Sequence, residues 1–316
     1  LMVSIGIFVA LFFGGRGILG SEVPSPVLPL SCLTFIYFSY LLASVLFPGI
    51  STFFALILLF LMAAYGIWSK KELVKSDLQK IGISFLPLIP ILWLALINEF
   101  PIWDDYTHWL PSAKYLFLDG HLPTNSEPIL NHAQPDYPYA RALIHAIVNS
   151  ISGEFSTKTQ GLFNVLMLSS ILLWGPVVVE KSCQLKKDFH PFYSIFLFSL
   201  CLIFLVISLG PRLLISSYAD PLLSMSMVHL FLLLWYFGPI LNIKELFSAK
   251  FFSYILVFCS LSSIKTYGLY YSVIITVPYL LFWLLKTKSK KELFDVVKIN
   301  VLALIILGLS IISLQG

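Results

Sequence analysis

Apolar runs of bilayer-crossing length recur along almost the whole chain, and no other feature constrains its fold as strongly. They lie at about 1–14, 28–48, 50–68, 81–98, 159–179, 191–209, 221–238, 251–264, 267–285 and 298–314. Most approach the roughly 20 residues a helix needs to cross hydrocarbon. The stretch 251–285 reads either as one long tilted helix or as a tight hairpin broken at Lys265–Gly268. Backbone groups in lipid must be satisfied within their own segment, so the spans are expected to be helices. The runs do not alternate, as the strands of an outer-membrane barrel would. Charge agrees: 11% of the residues are charged and 58% are hydrophobic. A soluble domain carries about 25% charged residues, enough to cover a water-facing surface. The expected fold is all-α, a polytopic transmembrane bundle of about ten spans.

The net charge of +4 points to no nucleic-acid partner, because the lysines sit in short clusters between apolar runs. Such clusters mark cytoplasmic loops. One set of loops holds Arg16, Lys70, Lys71, Lys75, Lys80, Lys181, Lys186, Lys187, Lys244, Lys250, Lys286, Lys288, Lys290, Lys291 and Lys298. The other holds Lys114, Arg141, Lys158, Arg212 and Lys265. Placing the first set in the cytoplasm requires the hairpin reading of 251–285. It also puts residues 99–158 outside, as the one long loop. Long loops on membrane proteins tend to carry function.

Of Cys32, Cys183, Cys201 and Cys259, three lie in apolar runs and none lies in the long loop, so no disulfide framework is implied. No basic n-region with a cleavage site opens the chain. Starting at Leu1 inside one apolar run and stopping at Gly316 after another, the chain has the look of a fragment or of a protein with a non-Met start. No internal repeat is evident, which weakens a transporter built from inverted halves.

The loop carries two amphipathic patterns. From Asp105 to about Leu118, Tyr106, Trp109, Leu110, Ala113 and Leu116 form one apolar stripe, and Gly120 is a natural stop. Trp103, Tyr106 and Trp109 suit a helix at the membrane interface. On that helix Asp104, Asp105 and His108 would share a face. A second helix is expected from Asp136-Tyr137-Pro138, with Leu143, Ile144, Ile147, Val148 and Ile151 as its stripe and Gly153 as its end.

Each polar residue has a structural reading beside a functional one. Asp104-Asp105 suits a helix N-terminus as well as it suits chemistry. His108 suits an interfacial histidine bonded to a carboxylate. A divalent metal on Asp104, Asp105 and His108 has the right ligand types, without a specific ligand spacing. Asp136-Tyr137-Pro138 reads first as a cap and helix start. Asp220 before Pro221 reads as an N-cap, and Arg212 lies nearby. Lys265 between apolar runs would cost about 3 kcal/mol at mid-bilayer, so a helix-end position is expected. His229 reads as a packed histidine bonded to a neighbouring helix.

Trp103-Asp104-Asp105-Tyr106-Thr107-His108-Trp109 resembles the acidic first-loop motif of the GT-C membrane glycosyltransferases. That class includes protein O-mannosyltransferases and lipid A aminoarabinose transferases. Relatives often read Trp-Asp-Glu-Phe-Ser-His-Trp, so this chain departs at Asp105, Tyr106 and Thr107. His132-Ala133-Gln134-Pro135-Asp136-Tyr137-Pro138, Tyr218-Ala219-Asp220-Pro221-Leu222 and Lys265-Thr266-Tyr267-Gly268-Leu269 resemble later elements of the family, in order. Residues 1–80 add nothing to the likeness. They form a separate N-terminal group of helices before an expected GT-C-like core over 81–316.

The resemblance implies a transferase at the outer face of a bacterial plasma membrane, building cell-envelope glycan. It would take a sugar from a polyprenyl-phosphate donor and pass it to a hydroxyl of a lipid, glycan or protein. Asp104 would be the general base and Asp105 its helper. His108, Trp103, Asp136, Tyr137, Arg212, Asp220 and Lys265 would bind substrate, with Lys265 the first choice to stabilise the leaving phosphate. The contrasting expectation is a polytopic transporter or lipid flippase without transferase activity. Ionisable residues inside spans would favour it, and only His229 and Lys265 qualify.

Overall fold

The computed structural model describes residues 1–97, 105–123, 138–183, 192–196, 198–200, 219–238, 243–265 and 267–286. These are almost wholly helical, with no strand among the described residues. Six helical stretches are long and apolar enough to cross a membrane: Met2–Leu19, Ser25–Leu46, Ser51–Ser69, Lys71–Ile97, Thr159–Ser182 and Asp220–Phe237. They make the chain an integral membrane protein of the polytopic helical class. The expected span at 298–314 and most of the one at 191–209 lie outside the described residues.

Helix α1 (Met2–Leu19), α2 (Leu28–Leu46) and α3 (Ser51–Ser69) open the bundle. α4 (Lys71–Phe85) and α5 (Ile89–Ile97) form one rod joined by a 3₁₀ turn at Leu86–Leu88. The apolar run expected from 81 therefore extends back to Lys71 as helix. α1 also outruns its expected end at 14 and carries Arg16 in its last turn. The apolar pattern stops where the charge begins, but the helix does not, because that charge is neutralised inside the protein. Arg16 Nε and Nη2 donate to Asp77 Oδ2 at 3.1 and 3.0 Å, and Nη2 also reaches Oδ1 at 3.3 Å. Nη1 donates to the Gly20 and Val23 carbonyls, fastening the turn that follows.

Between spans, association relies on close van der Waals packing, since lipid is as apolar as leucine. Small residues supply it here. A Cβ on Gly66 would meet the Phe13 carbonyl oxygen at 1.9 Å, and one on Gly15 would meet that of Leu28 at 2.2 Å. α1 thus touches α3 and α2 backbone to backbone. Every residue of α8 (Thr159–Leu172) is buried, which makes it the axis of the fold; α9 (Trp174–Cys183) continues it. By contrast, Phe53, Phe60, Leu61, Trp68 and Trp93 of α3 and α5 are exposed. So large an apolar surface suits contact with acyl chains.

The last described helices are α10 (Asp220–Phe237), α11 (Ala249–Ile264) and α12 (Gly268–Lys286). The stretch 251–285 is a hairpin. Ser272 Oγ donates to the Phe258 carbonyl across it, and the turn is so tight that a Cβ on Gly268 would meet the Leu261 carbonyl oxygen at 1.8 Å.

Hydrogen bonds fix which ends of the helices lie together. Ser170 of α8 meets His229, and Lys181 of α9 meets the Trp235 carbonyl, so α8–α9 and α10 run parallel. Asp220, nine residues before His229, then lies about 13 Å along the helix from it, level with the start of α8. The start of α8 follows the long loop directly. The Asp220 end of α10 and the loop helices therefore share one end of the bundle. Arg16, Lys181, Lys244 and Lys250 occupy the other.

Candidate functional site

Two helices of the long loop are described, and both are seated on the bundle. Asp105–Trp109 is a single π-helical turn that leads into α6 (Leu110–Asp119). The wider turn changes the 3.6-residue register behind the expected shared face. His108 and Trp109 are buried, as are Leu110, Ala113 and Leu116, while Tyr106 is exposed. Gly120 ends α6 in the left-handed region (φ 74°), where a side chain would be strained. Its carbonyl accepts from Thr52 N at 3.2 Å, Thr52 Oγ1 at 2.7 Å and Ser51 Oγ at 3.3 Å, pinning the loop to the first turn of α3. Lys158 Nζ donates to the Leu96 carbonyl at 3.1 Å and ties the loop's far end to α5.

α7 (Ala140–Ser152) starts after Tyr139, whose N–H donates to Tyr37 Oη of α2 at 3.2 Å. The expected stripe of Leu143, Ile144, Ile147 and Val148 is buried, with Ile151 left exposed. A second stripe is buried too, and it is polar: Arg141, His145 and Asn149, four residues apart. The Arg141 guanidinium lies over the Trp109 ring, 5.1 Å from its centre. With the Gln160 amide turned to satisfy its neighbours, its oxygen accepts from Arg141 Nε at 2.6 Å and Nη2 at 3.0 Å. Its nitrogen donates to His145 Nδ1 at 3.1 Å. The His145 proton therefore sits on Nε2, which donates to the Ser156 carbonyl at 2.8 Å. Burial pushes the pKa of this imidazole down to about 4, helped by the Arg141 charge. Asn149 Oδ1 accepts from Thr159 Oγ1 at 2.9 Å and Ser156 N at 3.3 Å. This ladder couples the π turn before α6, α7 and the start of α8. Sequence reasoning missed it, although three polar residues at fourfold spacing on an apolar helix were its signal.

Asp220 and Lys265 come together. Lys265 Nζ donates to Asp220 Oδ1 at 2.8 Å, across 45 residues of sequence. The expectation that Asp220 caps α10 fails. It is the first residue of the helix, its N-cap is Ala219, and no side-chain cap bond forms. The ammonium of Lys265 attracts the carboxylate more strongly than backbone N–H groups that lack full charge. Lys265 itself follows α11 on extended backbone, φ −149° and ψ 141°, held between two packed helices by the Gly268 turn.

Of the other expected site residues, Trp103, Asp104, Asp136, Tyr137 and Arg212 lie outside the described residues. No cluster of three or more His, Cys, Asp or Glu suited to a metal occurs among the described residues. His229 makes a closed network inside the bundle. Trp174 Nε1 donates to His229 Nδ1 at 2.9 Å, and His229 Nε2 faces Ser170 Oγ at 2.9 Å. Ser170 gives its proton to the Met167 carbonyl. The imidazole is neutral and both nitrogens are satisfied.

Comparison with family models, with curated proteins and with solved structures finds no match.

Proposed function

We propose that this protein is a membrane glycosyltransferase. In this reading it moves a sugar from a polyprenyl-phosphate donor to an acceptor hydroxyl on the extracytoplasmic face of a bacterial plasma membrane, with inversion. The observation that carries the reading is the Asp220–Lys265 ion pair. It joins two of the four sequence elements that resemble the GT-C class, and it does so at the end of the bundle where the loop bearing the first element is seated. A donor of this kind keeps its tail among acyl chains and its phosphate at the interface, so a lysine at a helix end there suits the phosphate.

Asp104 acts as general base on the acceptor hydroxyl, with Asp105 and His108 beside it in sequence. The deprotonated oxygen attacks the anomeric carbon, and the carbon–oxygen bond to phosphate breaks. Phosphate leaves with the bonding pair, and Lys265 offsets the charge that develops on it. The transporter reading lacks comparable support, because His229 is neutral and fully bonded, a poor station for a moving proton.

A donor screen with purified protein and radiolabelled polyprenyl-phosphate sugars identifies the substrate; Asp104→Asn then tests the base. Transfer should fall about 10²–10⁴-fold while the protein stays folded in the membrane. Full transfer by Asp104→Asn would remove Asp104 from this role. Uptake of substrate into vesicles without any transfer product would favour a transporter.

A further inference from the structure

The three described ion pairs differ in kind. Arg16–Asp77 is sealed, with side chains 5% and 3% exposed. Lys250–Glu245 is a local link between residues five apart. Asp220–Lys265 bridges two helices at the loop end, and its side chains keep 42% and 19% of their surface uncovered by protein. The anion is the more accessible partner. Lys265 precedes a tight turn in which Gly268 packs against the Leu261 carbonyl. Asp220 is a short side chain on the first turn of an 18-residue helix, and no cap bond ties it down.

We infer that Asp220 is a built-in competitor for the anion that Lys265 receives, so the pair acts as an exchange latch for a phosphate ester. This rests on the transferase reading for its substrate class, a polyprenyl phosphate. With no lipid phosphate present, Asp220 pairs with the ammonium and helps compensate a charge at the bilayer edge. An arriving phosphate oxygen takes the Nζ donor, and the displaced carboxylate turns to water. No bond is made or broken in the exchange beyond hydrogen bonds and ion pairing. The latch also limits affinity: a carrier product that bound Lys265 without competition would leave slowly.

The test is binding of radiolabelled polyprenyl phosphate, without sugar, to the full chain in phosphatidylcholine nanodiscs. Asp220→Asn should bind about fivefold tighter, the factor that corresponds to about 1 kcal/mol for a partly screened pair. Asp220→Ser, which removes the charge with a shorter side chain, should do the same. Lys265→Met should weaken binding by at least that factor, while Lys250→Met at the opposite end should not change it. Inorganic phosphate should compete weakly and in the same rank order. If phosphatidylglycerol discs alone abolish the difference between variants, the anion received is a phospholipid headgroup and the substrate assignment is overturned. Unchanged or weaker binding by folded Asp220→Asn and Asp220→Ser would overturn the latch. So would failure of both to fold, since a carboxylate that cannot leave is no competitor. Transfer by the native chain with no tightening in either variant removes the latch and leaves the transferase. Tightening with no transfer from any donor does the reverse.

Discussion

Replacing Gly268 by alanine probes the link between helix packing and the site. The added Cβ would stand 1.8 Å from the Leu261 carbonyl oxygen, 2.1 Å from its carbon and 2.8 Å from Ser262 N. All three are backbone atoms, so no side chain can swing aside. Restoring ordinary contact at 3.4 Å takes about 1.6 Å of movement between α11 and α12 at their turn. Forced overpacking of this kind costs about 1–3 kcal/mol, and a backbone clash belongs at the upper end. Lys265 lies three residues before the clash, and its 2.8 Å bond to Asp220 has little slack. A shift of that size carries an ion pair past the roughly 4 Å at which it counts as one.

The assay is denaturant or thermal unfolding in one detergent, beside the transfer rate. Gly268→Ala should lose about 3 kcal/mol and transfer at least tenfold more slowly. Gly82→Ala is the matched control: it lies in α4 with nothing within 4 Å of the new Cβ. It should be neutral or stabilising by up to about 1 kcal/mol. If Gly268→Ala were as stable and as active as the native chain, the tight hairpin would not be what positions Lys265.

Three further outcomes are expected. Between pH 6.5 and about 4, an unfolded chain protonates His145 while the folded one does not, so stability falls as pH falls through that window. The loss approaches about 3 kcal/mol, and His145→Gln should flatten this part of the pH–stability profile. Arg16→Met leaves Asp77 buried without its cation and should cost about 3–5 kcal/mol, whereas Arg16→Met with Asp77→Leu should recover most of it in the same unfolding assay. His229→Leu strands the Trp174 N–H inside the bundle and should cost about 1–3 kcal/mol, with transfer kept; loss of transfer at native stability would mean His229 has a chemical role.

The spans were legible because each is a local property: a window of apolar residues must cross a bilayer or be buried, whatever lies elsewhere in the chain. Their limits were less so. α1 runs past Gly14 to Leu19 because Arg16 finds Asp77, 61 residues away, and no window contains both. The loop helices were readable from their stripes and from the glycines that end them. Their seating was not, since Gly120 meets Thr52 and Lys158 meets Leu96 through folds of the whole chain. The polar ladder on α7 had a visible spacing, but its partners Trp109, Ser156, Thr159 and Gln160 come from other segments that only the fold brings together.

The Asp220–Lys265 pair shows what short motifs leave out. Read alone, Asp220 before Pro221 has every property of a helix cap, and Lys265 every property of a snorkelling helix end. Both readings assume that each charge is answered within its own turn. At the bilayer edge that assumption is weak, because a unit charge is worth more to another unit charge than to backbone dipoles. The pairing then follows from topology: α10 and α11 are antiparallel, so the start of one must lie beside the end of the other. A lysine that closes one helix and an aspartate that opens its antiparallel neighbour are placed to meet. The same rule, applied to charged residues at span ends, turns two unremarkable residues into one polar station on the bundle end that also holds the loop.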